Sequence, residues 1–268
     1  MADRTSGSLT LTLAEIVSGD QLKLSILGSS GTYPAPGRPA SGYLVEHEGT
    51  RVWCDAGPGT FLALPIDNQL VDAIVLSHEH PDHCLDLITA FHAFRYGERT
   101  RSHVPVYCPS SVSQKVLRFV DDHEDGAMAE TFDFNAVGDG DEVVVGGIKI
   151  SFWRSDHSVP TVATRWQTNG RVMAYSADTG PEGDWMRAAE GADLFLCEAS
   201  YQGKPGLSAY PYHLTAGEAG RIAREVGAKH LMLTHIPPHL EPSLSVAEAE
   251  VPFDRPVELA VPGASRKV

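Results

Sequence analysis

The chain has 268 residues, enough for one large domain or two small ones with a sizeable core. Apolar residues at 42% and charged residues at 21% match a globular protein and exclude a disordered or fibrous one. The formal net charge of −14 disfavours a tight complex with a long nucleic acid, because an acidic surface repels phosphates, although such acidity also serves solubility alone.

The N-terminal stretch MADRTSGSLTLTLAEIV has no basic region followed by a long apolar run. No segment approaches 18 consecutive apolar residues. Neither an export signal nor a transmembrane helix is expected, and no membrane partner. Strand-like runs follow at 22–28, 42–48, 50–55, 71–77 and 104–108. The second half adds 142–153, with Gly146-Gly147 as its hairpin turn, then 161–167 and 171–177 joined at Asn169-Gly170. Runs at 192–198 and 229–235 complete the set.

Helical patterns punctuate the strands. Leu87, Ile88, Phe91 and Phe94 form an apolar stripe that ends at Gly97. Residues 110–122 read as a second helix. Residues 215–227 read as a third, with Thr215 and Glu218 in a capping box and Gly227 ending it. The interval 84–156 thus reads as two helices and a hairpin. The whole predicts a single α/β domain over 1–268, its sheets covered by helices. Cys54, Cys84, Cys108 and Cys197 form no CxxC pair, and three of them lie in or beside apolar runs. Buried free thiols in a reducing cytoplasm are expected.

Twelve histidines are many for this length. His47, His92, His103, His123, His230 and His239 read as ordinary solvated or core residues. The other six stand where strands end. His78, His80, Asp82 and His83 follow the run 71–77, in the stretch HEHPDH. His157 follows ISFWRSD, Asp178 follows VMAYSA, His213 precedes the capped helix, and His235 ends LMLT. Imidazole and carboxylate converging from several strand ends on one rim is what a metal site needs. In an extended segment His78 and His80 project to one side and can grip one cation. Asp82 and His83 follow the turn at Pro81 and can grip a second. Neutral imidazole with carboxylate suits Zn²⁺, with Mn²⁺ or Fe open at mixed N/O sites.

These residues carry a resemblance. WCDAGPG (53–59), with Asp55 as a structural acid, HEHPDH (78–83), and the positions of His157, Asp178 and His235 resemble the ligand motifs of the metallo-β-lactamase superfamily. That resemblance implies a four-layer αββα sandwich with metals between the sheet edges. LGSSGTYPAPGRPASGYLV (27–45), AYSADTG (174–180), LFLCEASY (194–201) and HLTAGEAGRIAREVGAKHLMLTHIPP (213–238) are similar to RNase Z and its relatives. They are more similar still to the atypical, class II-like cyclic-nucleotide phosphodiesterases of actinobacteria.

On this resemblance His78, His80 and His157 hold one divalent ion. Asp82, His83 and His235 hold the other, and Asp178 bridges them. Two ions about 3.5–4 Å apart share a hydroxide and clamp the oxygens of a displacement at phosphorus. Asp82 is a candidate to orient the attacking hydroxide. His213 is a candidate to contact the phosphate and protonate the leaving alkoxide, with Glu198 as its orienting carboxylate or a plain strand-end acid. Arg38 and Ser41, in the Gly/Pro-rich 28–42 loop, are candidates for substrate contact.

One departure from bacterial RNase Z matters. Those enzymes commonly insert a tRNA-gripping arm between the third and fourth ligand motifs. Here 20 residues separate His157 from Asp178, and they read as one hairpin. The expected substrate is therefore a small phosphodiester such as a 3′,5′-cyclic nucleotide, with no stable nucleic-acid complex. RNA 3′-end cleavage and lactone or thioester hydrolysis are the alternatives, and a metal-storing binding protein is a third. A β-lactamase is disfavoured, because those enzymes usually carry cysteine where this chain has Asp178. A homodimer is left open.

Overall fold

The structure, a computed structural model, describes residues 21–65, 71–120, 126–204 and 211–268. The N-terminal stretch discussed above and His123 lie outside them. The first sheet contains β1 (Lys23–Gly28), β2 (Gly42–His47), β3 (Thr50–Cys54), β4 (Ala73–Val75), β5 (Val104–Cys108) and β6 (Phe132–Ala136). A C-terminal strand, β14 (Ser265–Lys267), pairs with β1 and gives the order β14-β1-β2-β3-β4-β5-β6. The second sheet contains β7 (Glu142–Val145), β8 (Ile148–Arg154), β9 (Val162–Thr168), β10 (Arg171–Tyr175), β11 (Leu194–Glu198), β12 (Leu231–Thr234) and β13 (Val257–Leu259). Its order is the reverse of the chain, from β13 to β7.

The alternation of side chains along each strand sends one set inward and the other outward. Leu24, Ile26, Tyr43, Val45 and Val52 of the first sheet meet Ile150, Phe152, Trp166, Tyr175 and Leu196 of the second in a closed inner core. Helices cover the two outer faces. On the first sheet these are α1 (Thr60–Ala63), α2 (Pro81–Cys84), α3 (Asp86–Tyr96), α4 (Ser110–Phe119) and α5 (Ala127–Thr131). Leu87, Phe91 and Phe94 of α3 pack on Trp53, Ile74 and Val106, the stripe read from the sequence. On the second sheet lie a 3₁₀ turn (Asp184–Ala189), α6 (Ala216–Glu225) and α7 (Pro242–Phe253). The layers are therefore αββα. Among the described residues no helix is long and apolar enough to cross a membrane.

Local signals explain most boundaries. Gly146 and Gly170 take positive φ in the β7–β8 and β9–β10 turns. Thr215 and Glu218 form both halves of the capping box at the start of α6. The interval 84–156 holds more than two helices and a hairpin, because α5 and β6 also lie there. β6 buries only its first residue fully, so its sequence carries little alternation. α7 and the three-residue edge strands β13 and β14 were equally silent in the pattern.

Chain direction sets the rim. β10, β11 and β12 run parallel, and β9 is antiparallel to both β8 and β10. The residues leaving β8, β10, β11 and β12 thus emerge along one edge of the second sheet. Those are the segments carrying His157, Asp178, Glu198 and His235. Gly220 lets α6 approach α7 closely, since a Cβ there would collide with the Ala249 carbonyl. Gly220→Ala should cost about 1–3 kcal/mol through that overlap. A lowered Tm in thermal melts checks it, and an unchanged Tm contradicts the close packing.

Candidate metal centre

The rim brings together two groups of ligand atoms. In the first, His80 Nδ1 lies 3.1 Å from His78 Nε2 and 3.1 Å from His157 Nε2. Asp178 Oδ2 stands 3.6 Å from His78 Nε2 and 3.9 Å from His157 Nε2. In the second, Asp178 Oδ1 lies 3.2 Å from His83 Nε2 and 3.3 Å from His235 Nε2. Asp82 Oδ2 stands 3.6 Å from His83 Nε2 and 3.3 Å from His235 Nε2. A tetrahedral ion with ligands at 2.0–2.1 Å sets those ligands about 3.3 Å apart. Both groups sit near that spacing, and both can hold a metal ion. Asp178 gives one oxygen to each.

His78, His83, His157 and His235 are each held through the ring nitrogen that faces away from its group. His83 Nδ1 donates to Asp55 Oδ2 at 2.8 Å. Asp55 also accepts the Ser77 N–H and hydroxyl and the Tyr175 hydroxyl, at 2.7–2.9 Å. Ser77 Oγ in turn lies 3.0 Å from His78 Nδ1. His157 Nδ1 donates to the Tyr212 carbonyl at 3.1 Å. His235 Nδ1 lies 2.9 Å from Ser200 Oγ. Asp82 Oδ2 accepts the Thr32 N–H at 2.9 Å. Such outer partners hold tautomer and orientation at metal sites. His83 Nε2 and Asp178 Oδ1, both buried, face each other at 3.2 Å without hydrogen-bond geometry and have no other hydrogen-bond partner. Orphaned polar atoms of this kind are costly unless something else binds them. The donor set therefore fits a divalent ion in each group.

The electrostatics agree. Burial, then repulsion from neighbouring imidazoles, lowers His78 well below the ordinary histidine range and lowers His80 too. Burial also lowers His157. Neutral rings are what a metal needs. His83 is the exception. Burial opposes its charge, but Asp178, Asp82 and Asp55 outweigh it and raise the pKa well above the usual value. For Asp178, burial raises the pKa, but His235 and His83 outweigh it and keep the carboxyl well below its usual range. A cation bound among these carboxylates would displace the His83 proton, linking metal binding to proton release.

Four of the seven described non-glycine residues with positive φ cluster here: Thr32, Asp55, Ala177 and His235. Each is held in a sparsely populated conformation, as at many functional sites.

The remaining candidates divide. His213 stands on the rim, with Nδ1 2.9 Å from Glu198 Oε1 and 4.0 Å from Asp178 Oδ2. Burial alone would lower its pKa, but the Glu198 charge and hydrogen bond outweigh that and raise it to about 9. Glu198 is fully buried, so the strand-end alternative of an exposed acid is set aside. Ser41 is also fully buried, enclosed beneath the 55–60 turn, and substrate contact is not open to its hydroxyl. Arg38 donates to the Pro238 carbonyl at 3.2 Å. It lines a separate, largely apolar cavity of about 250 Å³ with Ser29, Ile236 and Leu259 rather than the rim. The sequence reading missed Ser77, Ser200, Tyr175 and the backbone of Thr32. A lone Ser or Tyr beside a ligand motif carries no periodic signal.

A family profile described as "Beta-lactamase superfamily domain" matches residues 50–236. An uncharacterized protein of Mycobacterium tuberculosis is 33% identical over 248 residues, covering 90% of each chain. Ribonuclease Z of Methanopyrus kandleri is 26% identical over 273 residues, covering 87% of this chain and 93% of its own. The solved structure of the metallo-β-lactamase fold protein YhfI from Bacillus subtilis matches with a TM-score of 0.80 at 26% identity, covering 93% of this chain and 100% of that one. YhfI is named a probable metallo-hydrolase.

Stripping metal with a chelator should lower the Tm, because the carboxylate and imidazole donors around each ion, buried or partly buried, would then lose their compensating charge. Melting curves with and without chelator measure this. Identical curves would show that the two groups bind no ion in the folded protein.

Proposed function

The chain belongs to the β-lactamase superfamily domain family, and we propose that it is a phosphodiesterase cleaving a small phosphodiester such as a 3′,5′-cyclic nucleotide. Within that family it is a metal-dependent hydrolase of the metallo-β-lactamase fold. The observation that carries the finer reading is the shared Asp178, with one oxygen in each donor group and His213 on the rim beside it.

In this reading His78, His80 and His157 hold one ion, Asp82, His83 and His235 hold the other, and Asp178 is common to both. Zn²⁺ suits the donors best, with Mn²⁺ or Fe as alternatives. When bound, two such ions supply Lewis acidity at the phosphoryl oxygens and lower the pKa of water. The protein's own residues do the rest. Asp82, anchored through Oδ2 by Thr32, keeps its other oxygen for a hydrogen bond from the attacking water. His213, held through Nδ1 by Glu198, presents Nε2 to the phosphate. Its raised pKa keeps it protonated at neutral pH, ready to give a proton to the leaving alkoxide. The buried free thiols support a reducing, cytoplasmic setting.

Shape and charge favour a small substrate over tRNA. The segment between His157 and Asp178 is the β9–β10 hairpin with a two-residue turn, so no arm projects there. A cavity of about 500 Å³ opens beside His157 and is lined by Asp139, Asp156, Glu182 and Asp184, with Arg154 as its one cation. Flanking phosphates of a polymer would meet that negative wall. The ribonuclease Z relative supports RNA 3′-end cleavage as the second reading.

Side-by-side assays on bis-p-nitrophenyl phosphate, cAMP, a lactone and pre-tRNA test the choice. Turnover of the first two is expected, and lactone cleavage without phosphodiester turnover would overturn it. His213→Ala should lower kcat for cAMP about 10²–10⁴-fold, the usual worth of a general acid. The loss should be much smaller for p-nitrophenolate, which departs without a proton. Equal losses on both substrates would remove His213 from that role.

A further inference from the structure

Glu198 is a fully buried carboxylate from the end of β11, and one histidine does not exhaust its bonding. Oε1 accepts the Thr179 N–H at 2.7 Å and His213 Nδ1 at 2.9 Å. Oε2 accepts the Ser200 hydroxyl at 2.6 Å and the Ser200 N–H at 3.3 Å. The Ser200 hydroxyl has one hydrogen, and its shortest contact assigns that hydrogen to the carboxylate. Towards its other neighbours Oγ can therefore only accept. Those neighbours are His235 Nδ1 at 2.9 Å and, more weakly, His213 Nδ1 at 3.3 Å, with the His235 carbonyl at 3.4 Å making no further bond once the hydrogen is committed. His235 Nδ1 must then carry its hydrogen. The Nε2 lone pair is left facing Asp82 Oδ2 and Asp178 Oδ1, each 3.3 Å away.

We propose that Ser200 is a positioning residue through which Glu198 fixes His235, so that the second metal position and the His213 proton donor share one buried anchor. The inference rests on reading His235 as a ligand. Three features support a dedicated link rather than incidental packing. Ser200 is buried, so water does not compete for its hydroxyl. His235 takes a left-handed backbone conformation, a strained state that persists only where surrounding contacts hold it. The His213 and His235 rings also lie nearly parallel, 13° apart with centroids at 5.6 Å, as expected of two rings held by one carboxylate. Only one of the two ion positions uses this anchor. The other depends on the Tyr212 carbonyl and on Ser77.

The prediction is therefore asymmetric. Ser200→Ala should weaken one of two Zn²⁺ equivalents about 10–100-fold, the usual worth of an outer-shell partner, and leave the other unchanged. Competition titration with a chromophoric chelator reads both affinities, and Co²⁺ absorption reads the geometry of the weakened position. Ser200→Thr, which restores the hydroxyl, should restore the affinity. Glu198→Gln should weaken the same equivalent and also impair turnover of substrates with alkoxide leaving groups. A Ser200→Ala protein that binds both equivalents like wild type, or loses both alike, overturns the proposal. A wild-type protein that takes up fewer than two equivalents overturns the underlying ligand reading, and the proposal with it. Thermal melts of the metal-free variants separate a folding defect from a ligand defect, and Ser200→Thr provides a second variant should Ser200→Ala not fold.

Discussion

Everything at the rim turns on one fully enclosed carboxylate. Asp178 lies between the two sheets, and its oxygens face different sets of donors. A buried carboxylate without partners is expensive enough that proteins ordinarily protonate it. Here the surrounding histidines keep it ionised despite burial. The same carboxylate, with Asp82 and Asp55, raises His83. The site thus carries more buried negative charge than its imidazoles offset while most of them stay neutral. Divalent cations bound there would resolve that imbalance, whereas one proton on His83 resolves only part of it.

That demand shapes the surrounding architecture. Ligands must arrive from both sheets, so the sandwich is built to end its strands at one edge. HEHPDH follows β4 of the first sheet, and the other candidate donors follow β8, β10 and β12 of the second. Asp55 ties the two together: it accepts from Ser77 on one side and from Tyr175 of the opposite sheet on the other. It therefore orients His83 and fastens the sheets at the same point. The left-handed conformations of Asp55, Ala177 and His235 are the local cost of aiming side chains inward where strands stop.

Much of this was legible in the sequence because it depends on local pattern. Strand-like apolar runs located the long strands, the apolar stripe after His83 located α3, and Thr215 with Glu218 located α6. The clusters of candidate donors were legible because imidazole and carboxylate are rarely gathered after apolar runs without a reason. What remained hidden lacks such patterns. β13 and β14 are three-residue edge strands defined by their pairing, not by their own alternation. Ser41 looked like a loop hydroxyl, yet the 55–60 turn closes over it. Arg38 was a candidate for substrate contact, yet it donates to the Pro238 carbonyl and lines a separate cavity. Ser200 is two residues from Glu198 in the chain, but its link to His235 exists only once β11 and β12 are paired.

On the proposed reading, charge also limits the substrate. The chain is acidic overall, and beyond the donor groups the cavity wall beside His157 is acidic again. Positive charge at the rim is thus concentrated at the two ion positions and on His213 beside them. Attraction from them is strong at contact and fades over about 8–10 Å in physiological salt. A single phosphodiester fits wholly inside that range and gains from it. A polynucleotide places its neighbouring phosphates outside it, against carboxylates, and loses affinity with each one. Discrimination between the two then needs no shape-reading arm: the reach of two cations within a negative surround is enough to favour the smaller ester.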